Sequence, residues 1–567
     1  MQVLLMLLQS PLFTLLRTRY NVTSTTLILL IAIVIPAFYN LNFWLRLLQT
    51  FEQLSLPAIG FSVMFFTLIS FLVFMLLSLF NHHYLLKPVA ITLLFSAASI
   101  AYFNSIGVVI DEVMIKNITE TNTQEAMELA NGSLLTYLLI LGFIPAFFIA
   151  RLKLNYQSKW VRLKRSSLYS ITMALGVSAL LYSNFQFTTF FGRENRDLRL
   201  FVNPLFPLLS VNKYASSHFK TVEVFVHVGS DAQQIKLAKK RTVGIFMLGE
   251  TARADHFGIN GYPKNTTPNL DKRLAQGRLF NFSDVTACGT STAYSVPCIF
   301  SLLDEDNYSP NKARNQSNVL DILESAGIKT LWRDNNSSCK GVCARIENEN
   351  FRDHIDKQSL YFHEGAYLDE ILLSNLDRVI ATTDKDILIV LHQLGSHGPA
   401  YHRRYPKSFA KFSPSCASNA PQNCTPTEVS NSYDNTIVYT DYLLEKTITL
   451  LEEHSQDYQS FMLYVSDHGE SLGENGVYLH GLPKVIAPKS QTHVPLVLWL
   501  SDDMYNTFGA PVALEAYANG CVERELSHDH ISHTLLAIFN VETSLKKAEK
   551  SIINNHCLLS GMLAKEP

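Results

Sequence analysis

At 567 residues, 47% of them apolar and with a mean hydropathy of +0.10, the chain is too long for one ordinary domain and too apolar for a wholly water-soluble protein. Lys and Arg number 47 against 49 Asp and Glu, so there is no basic excess, and no nucleic-acid partner is expected.

Five apolar windows, near residues 25–47, 56–80, 86–107, 133–150 and 167–186, each approach or reach the ~20 residues needed to span a bilayer as a helix. The third is the weakest, with Lys87 and Pro88 near its start. The first is not read as a cleaved leader, because its apolar run exceeds a signal h-region and no A-x-A-like site follows. The connection between windows four and five holds Arg151, Lys153, Lys159, Arg162, Lys164 and Arg165 and no acid, whereas the one before window four is rich in Asp and Glu. Basic loops stay on the cytoplasmic side. That loop and the N-terminus are therefore assigned to the cytoplasm, and five crossings place everything after about residue 187 on the far side.

The cysteines point the same way. None precedes residue 288, and all eight, at 288, 298, 339, 343, 416, 424, 521 and 557, fall in the exported part, which implies disulfides made in an oxidising compartment. Proximity pairs Cys288 with Cys298, Cys339 with Cys343 and Cys416 with Cys424, leaving Cys521 and Cys557 by elimination. A metal site at "CKGVC" lacks the second close pair that a zinc finger needs. Residues 187–238 read as a connector, either a helix on the membrane surface or a plain linker.

From about residue 240 the texture changes. "TVGIFMLGE", "DILIVLHQLG", "SFMLYVSDHGE" and "HVPLVLWLS" are apolar runs of strand length, separated by amphipathic segments that fit crossover helices. An α/β domain is expected over 239–567, with its chemistry at the carboxyl ends of the strands. Three of those ends carry Glu250, His397, and Asp467 with His468. Two carboxylates and an imidazole suit Zn²⁺ and leave a fourth position open. If Thr292 of "ACGTSTAYSVPC" fills it, a zinc would lower the hydroxyl pKa and make Thr292 a nucleophile near neutral pH, on a loop stapled by Cys288 and Cys298. "SHDHISH", with His528, His530 and His533, reads as a capped amphipathic helix rather than a metal site, and His493 as structural.

The segments "GETARADHFGINGYPKNTTPNL", "ACGTSTAYSVPC", "WRDNNSSCKGVC", "HQLGSHGPAYHRRYP" and "VSDHGESLGENGVYLHGLP" closely resemble the phosphoethanolamine transferases that modify lipid A, the family that includes the mobile colistin-resistance enzymes. The resemblance covers nearly the whole chain. It implies five membrane helices (1–186), a connector (187–238) and a periplasmic catalytic domain of the alkaline phosphatase-like α/β/α fold (239–567), in a multi-pass inner-membrane protein expected to be a monomer. It also implies zinc on Glu250, Thr292, Asp467 and His468, with Thr292 as nucleophile. Thr290, Asn336, Ser337, Lys340, His397 and His480 would line the head-group and phosphate pocket. His397 and His480 are left open between a second zinc, phosphate binding and proton transfer. The implied reaction carries phosphoethanolamine from phosphatidylethanolamine to a lipid A phosphate through a phospho-threonine, giving polymyxin resistance. A transferase acting on core sugar, or a glycerolphosphate transferase of the same fold, are the alternatives. A sulfatase would need a C/S-x-P-x-R motif, which neither Cys288 nor Cys298 heads. A receptor reusing the fold would have no need of all four ligands.

Overall fold

The uncharged run from Leu27 to Ile35 forms a helix, α1 (Ser24–Phe38), opened by the Thr23 hydroxyl accepting from the Thr26 amide at 3.2 Å. Pro36 lies in its last turn, and the chain leaves it at 50° as α2 (Leu41–Thr50). The first apolar window is thus a bent pair rather than one straight helix. In hydrocarbon the carbonyls freed at such a break need partners. Asn40 Nδ2 donates to Ile35 O (3.1 Å) and Asn203 O (2.8 Å), and Asn203 Nδ2 donates to Tyr39 O (3.0 Å) and Ala97 O (2.7 Å). In this computed structural model, residues 20–51, 54–121, 123–218, 224–236, 240–277, 279–508 and 525–553 are described.

α3 (Leu56–Leu79), α4 (Leu86–Ser105), α6 (Gly132–Arg151) and α7 (Lys159–Ser183) are each long and apolar enough to cross a bilayer; with the bent pair they make up to five spans. Between α4 and α6 runs α5 (Glu112–Glu120). α7 begins at Lys159 rather than at 167, because Ser158 caps it and the basic residues that follow are good helix formers. The connector is largely helical, over Phe185–Glu194 and Leu205–His218.

Apart from α5 these helices fall in one compact unit (residues up to 105, 109–112 and 130–217); residues 106–108, 113–129, which hold all of α5 but Glu112, and 218 onward form the other. The second unit is built on a seven-stranded sheet of β1 (Arg241–Gly249), β2 (Leu279–Phe282), β3 (Lys329–Asp334), β4 (Glu347–Asn350), β5 (Ile387–His392), β6 (Tyr458–Ser466) and β7 (Leu496–Leu500), in the order β2-β7-β6-β1-β5-β3-β4. The pairs from β6 to β4 are all parallel, while β7 runs antiparallel to both its neighbours. The four predicted strands are all present, and β2, β3 and β4 join them.

Side chains alternate between two cores, as a sheet covered on both faces requires. Phe246, Leu248, Val390 and Val465 pack with α9 (Thr292–Ile299), α10 (Val319–Ser325) and α12 (Asp529–Ile538). Ile245, Met247, Ile389 and Tyr464 pack with α8 (Pro268–Ala275) and α11 (Pro426–Glu453), the latter opened by a capping box of Thr425 and Glu428. Contacts of this unit begin before residue 239: Val226 bridges Gln316, and Gln233–Gln234 pairs with Val541–Glu542.

Three disulfides, Cys288–Cys298, Cys339–Cys343 and Cys416–Cys424, form as paired from the sequence. Cys521 and Cys557 lie outside the described residues.

Candidate active site

Register sets the site. Gly249 of β1 is opposite Ser466 of β6, so the next residues, Glu250 and Asp467, emerge side by side at the carboxyl ends of two parallel strands. Leu248 is opposite His392 of β5, and His392 opposite Asp334 of β3, which brings the turns carrying His397 and Asn336 to the same edge. Thr292 is the first residue of α9, after Ser291 in extended conformation. That end of a helix carries partial positive charge and favours a developing anion.

Thr292 Oγ1 lies 3.2 Å from both Glu250 carboxylate oxygens and 3.4 Å from His468 Nε2. His468 Nε2 in turn is 3.3 Å from Asp467 Oδ2 and 3.5 Å from Glu250 Oε1. All four residues are buried. His468 Nδ1 is 2.9 Å from the Gly469 carbonyl, which can only accept, so the proton sits on Nδ1 and the Nε2 lone pair faces the cluster. Asp467 Oδ1 accepts from the amides of Thr251 (3.1 Å) and His468 (2.7 Å), whereas its buried Oδ2 has no hydrogen-bond donor.

Burial pushes the Asp467 carboxyl up and the His468 imidazolium well down, each toward its neutral form. Lone pairs from two carboxylates and an imidazole therefore lie within 4.8 Å of one another, two of the three groups against the Thr292 hydroxyl, with the Asn336 amide donating to Glu250 Oε2 at 2.7 Å. Such an excess of acceptors in a dry site calls for a cation, and the N/O donor set fits Zn²⁺.

A layer of hydrogen bonds fixes these groups. Asp369, buried, accepts from the Leu394 and Gly395 amides (2.8 Å each) and from Asn335 Nδ2 (2.8 Å). Gly395 has φ +54°, and a Cβ there would stand 2.7 Å from the Glu250 carbonyl oxygen. His480 Nδ1 is held by Glu470 Oε2 at 2.7 Å, and Tyr401 donates to Glu470 Oε1 at 2.7 Å. The His480 ring lies 4.4 Å from that of His468 and 5.5 Å from that of His397. Thr290 Oγ1 donates to Leu482 O at 2.6 Å, tying the Thr292 loop to the His480 loop. Lys340, inside the Cys339–Cys343 bridge, donates to Ser337 Oγ at 2.8 Å.

His528 precedes α12 without capping it, its ring instead bridging two other segments by accepting from the Cys288 amide (3.2 Å) and donating to Ser466 O (2.9 Å). His530 and His533 make hydrogen bonds to Ser527 and to the Lys547 amide, and His493 meets Ser283 O at 2.6 Å. Asp369, Glu470 and Arg404, whose Nε donates to the His397 carbonyl at 2.8 Å, carry no role in the sequence reading, and His528 stands there only as part of a helix. Glu470 and Arg404 stand inside the quoted motifs, two residues after His468 and as the second arginine of "HRRYP"; Asp369 stands in no recognisable motif.

A family model described as sulfatase matches residues 243–541, and one described as phosphoethanolamine transferase EptA/EptB matches residues 69–219. Phosphatidylethanolamine transferase Mcr-1 of Escherichia coli is 38% identical over 551 residues, covering 94% of this chain and 98% of its own. The chain belongs to the phosphoethanolamine transferase family. Phosphoethanolamine transferase EptA of E. coli K12 is 36% identical to this transferase over 544 residues, 93% of this chain and 96% of its own. The integral membrane lipooligosaccharide phosphoethanolamine transferase A of Neisseria meningitidis superimposes with a TM-score of 0.89 at 30% identity, covering 94% of this chain and 99% of the other. This transferase is therefore a membrane enzyme with an alkaline phosphatase-like domain.

Proposed function

We propose that this transferase carries phosphoethanolamine from phosphatidylethanolamine to a phosphate of lipid A through a Thr292-linked intermediate. The observation that carries the reading is the buried convergence of Thr292 Oγ1 with Glu250, Asp467 and His468 at the start of α9. In the first half-reaction Thr292 Oγ1 attacks the donor phosphorus, and the bond from phosphorus to the diacylglycerol oxygen breaks. The hydroxyl proton passes toward the Glu250 carboxylate, both of whose oxygens face it, and the departing oxygen takes a proton from the His397–His480 pair, oriented through Glu470.

In the second half-reaction a lipid A phosphate oxygen attacks the same phosphorus, its proton passing to the His397–His480 pair, and Thr292 leaves and regains its proton from Glu250. Glu250, Asp467, His468 and Thr292 are the residues that would hold one Zn²⁺, which when bound lowers the hydroxyl pKa and offsets charge on the phosphoryl oxygens. Lys340, held by Ser337, faces the transferring group as a point charge, and Asn336 keeps Glu250 in place. Thr290 supports the pocket through Leu482.

Both substrates are lipids, which fits a catalytic domain of residues 239–567 in the periplasm joined through 187–238 to five crossings of the inner membrane; we take the enzyme to act as a monomer. Adding an amine to lipid A reduces its negative charge and so weakens binding of polymyxins and other cationic peptides.

The test is mass spectrometry of separated lipid A and core from a polymyxin-sensitive Gram-negative host expressing wild type or T292A. Phosphoethanolamine on lipid A, with raised polymyxin tolerance, is expected for wild type alone. The same mass found only on core sugar would assign the core acceptor, and glycerolphosphate in its place would assign the other alternative.

A further inference from the structure

Residues 113–129, the acidic connection before the fourth apolar window, pack with the catalytic unit. One side of this segment holds Glu128, in a buried ion pair with Arg404, whose Nε donates to the His397 carbonyl at 2.8 Å. The other side holds Lys116, which is only 8% exposed. Its ammonium donates to the carbonyl of Ala293 at 2.8 Å, the residue directly after the nucleophile.

A lysine stripped of water at that point is costly unless an anion neutralises it. Among the described residues the charges around it do not: Lys340 and Arg314 are close enough to repel it, and Glu120, which attracts it, is already bridged to Arg314 at 2.8 Å. Burial first, then Arg314, pushes the Lys116 ammonium down to about 8. Lys340 is itself 7% exposed and carries a left-handed backbone (φ 52°) inside the Cys339–Cys343 bridge. Lys116 thus meets the first turn of α9 at the residue after Thr292, and with the Lys340 ammonium close enough to repel it there is a local excess of positive charge suited to a phosphate oxyanion.

We propose that Lys116 and Lys340 form a paired-cation clamp for a lipid phosphate at Thr292, so that a residue from the connection between two membrane helices contacts the transferring group. The proposal rests on the phosphoethanolamine-transfer reading. That reaction brings two phosphates to the nucleophile, first the donor's diester and then the acceptor's, and a single lysine meets only one charge. Lys116 is absent from every motif that carried the sequence reading, which is why the clamp is visible only in three dimensions.

The test uses full-length, zinc-loaded protein in detergent with phosphatidylethanolamine in mixed micelles, comparing wild type with K116M, which keeps length and loses charge, and K116R, which keeps charge. Intact mass follows the Thr292 adduct as it forms and as it discharges onto added lipid A. K116M is expected to slow one of these steps at least about tenfold, and K116R to stay within about threefold of wild type. Slow formation assigns the clamp to the donor phosphate, and slow discharge after normal formation assigns it to the acceptor. Wild-type rates for K116M in both steps would overturn the proposal, as would equal loss in K116M and K116R with a lowered melting temperature, the signature of a structural prop. If wild type itself forms no adduct, the transfer reading has failed, and calorimetric titration with inorganic phosphate decides the clamp alone. Phosphate binding at least about tenfold weaker in K116M would support it, and equal binding would overturn it.

Discussion

At the scale of single residues, the account depends on acceptors outnumbering donors. Asp467 Oδ2 is buried without a donor, and Glu250 and His468 turn lone pairs to the same point, so E250Q or D467N should lower bound zinc per chain, measured by atomic absorption on folded protein. Full zinc content in both would remove the proposed ligand set. Gly395 is a backbone test of the same site. At φ +54° an alanine is strained by about 1–2 kcal/mol, and its Cβ must displace the Glu250 carbonyl. G395A should therefore lose most transfer activity while keeping its three disulfides, as read by a lipid A modification assay and thiol titration.

His528 gives the pH dependence. Burial lowers it to about 4, below its usual 6.5, so the unfolded chain binds the extra proton first. Its contribution, on the order of 3 kcal/mol, is fully present above about 6.5 and is lost as pH falls toward 4. Thermal melting of the full-length protein should fall across that window, and H528Q should melt lower at neutral pH while showing a shallower fall. An unchanged slope in H528Q would refute the assignment.

At the scale of elements, the Thr292 loop is held by the Cys288–Cys298 bridge at its ends, by Thr290 on Leu482, and by His528 under Cys288. A bridge closing so short a loop contributes about 3 kcal/mol by restricting the unfolded chain. The double substitution C288S/C298S should cost stability of that order in urea unfolding and slow Thr292 adduct formation; a full rate at lowered stability would separate the staple from catalysis.

The same elements show what a sequence can and cannot convey. β1, β5, β6 and β7 were legible because strands buried on both faces are continuous apolar runs, and Glu250, His397, Asp467 and His468 were legible because the first three of those runs lead into polar, glycine-containing turns. β2 is four residues long, β3 mixes Lys329 and Arg333 with Leu331 and Trp332, and β4 reads Glu-Asn-Glu-Asn at the sheet edge, so none has a run long enough to stand out. Asp369 and His528 act on residues 25 and 240 positions away, through backbone amides that no local pattern records. The bend between α1 and α2 was hidden because hydropathy sums over Tyr39 and Asn40, whereas their partner Asn203 lies far along the chain.

At the scale of the whole molecule, the division into an apolar helical unit and an α/β unit fits the proposed transfer between two lipids. The basic connection between α6 and α7 and the late cysteines predict opposite sides of the membrane for the two parts. In spheroplasts, a cysteine at exposed Val485 should react with a membrane-impermeant maleimide, and one at Ser158 only after permeabilisation. The reverse pattern would invert the topology.

The central claim is that Thr292 is covalently modified during turnover, and intact-mass and peptide mass spectrometry of the purified full-length protein after incubation with phosphatidylethanolamine tests it most directly. A phosphoethanolamine adduct is expected on Thr292 and is expected to be absent from T292A. Folded, zinc-loaded wild-type protein that transfers phosphoethanolamine without ever carrying the adduct would contradict it and require direct displacement between the two lipids.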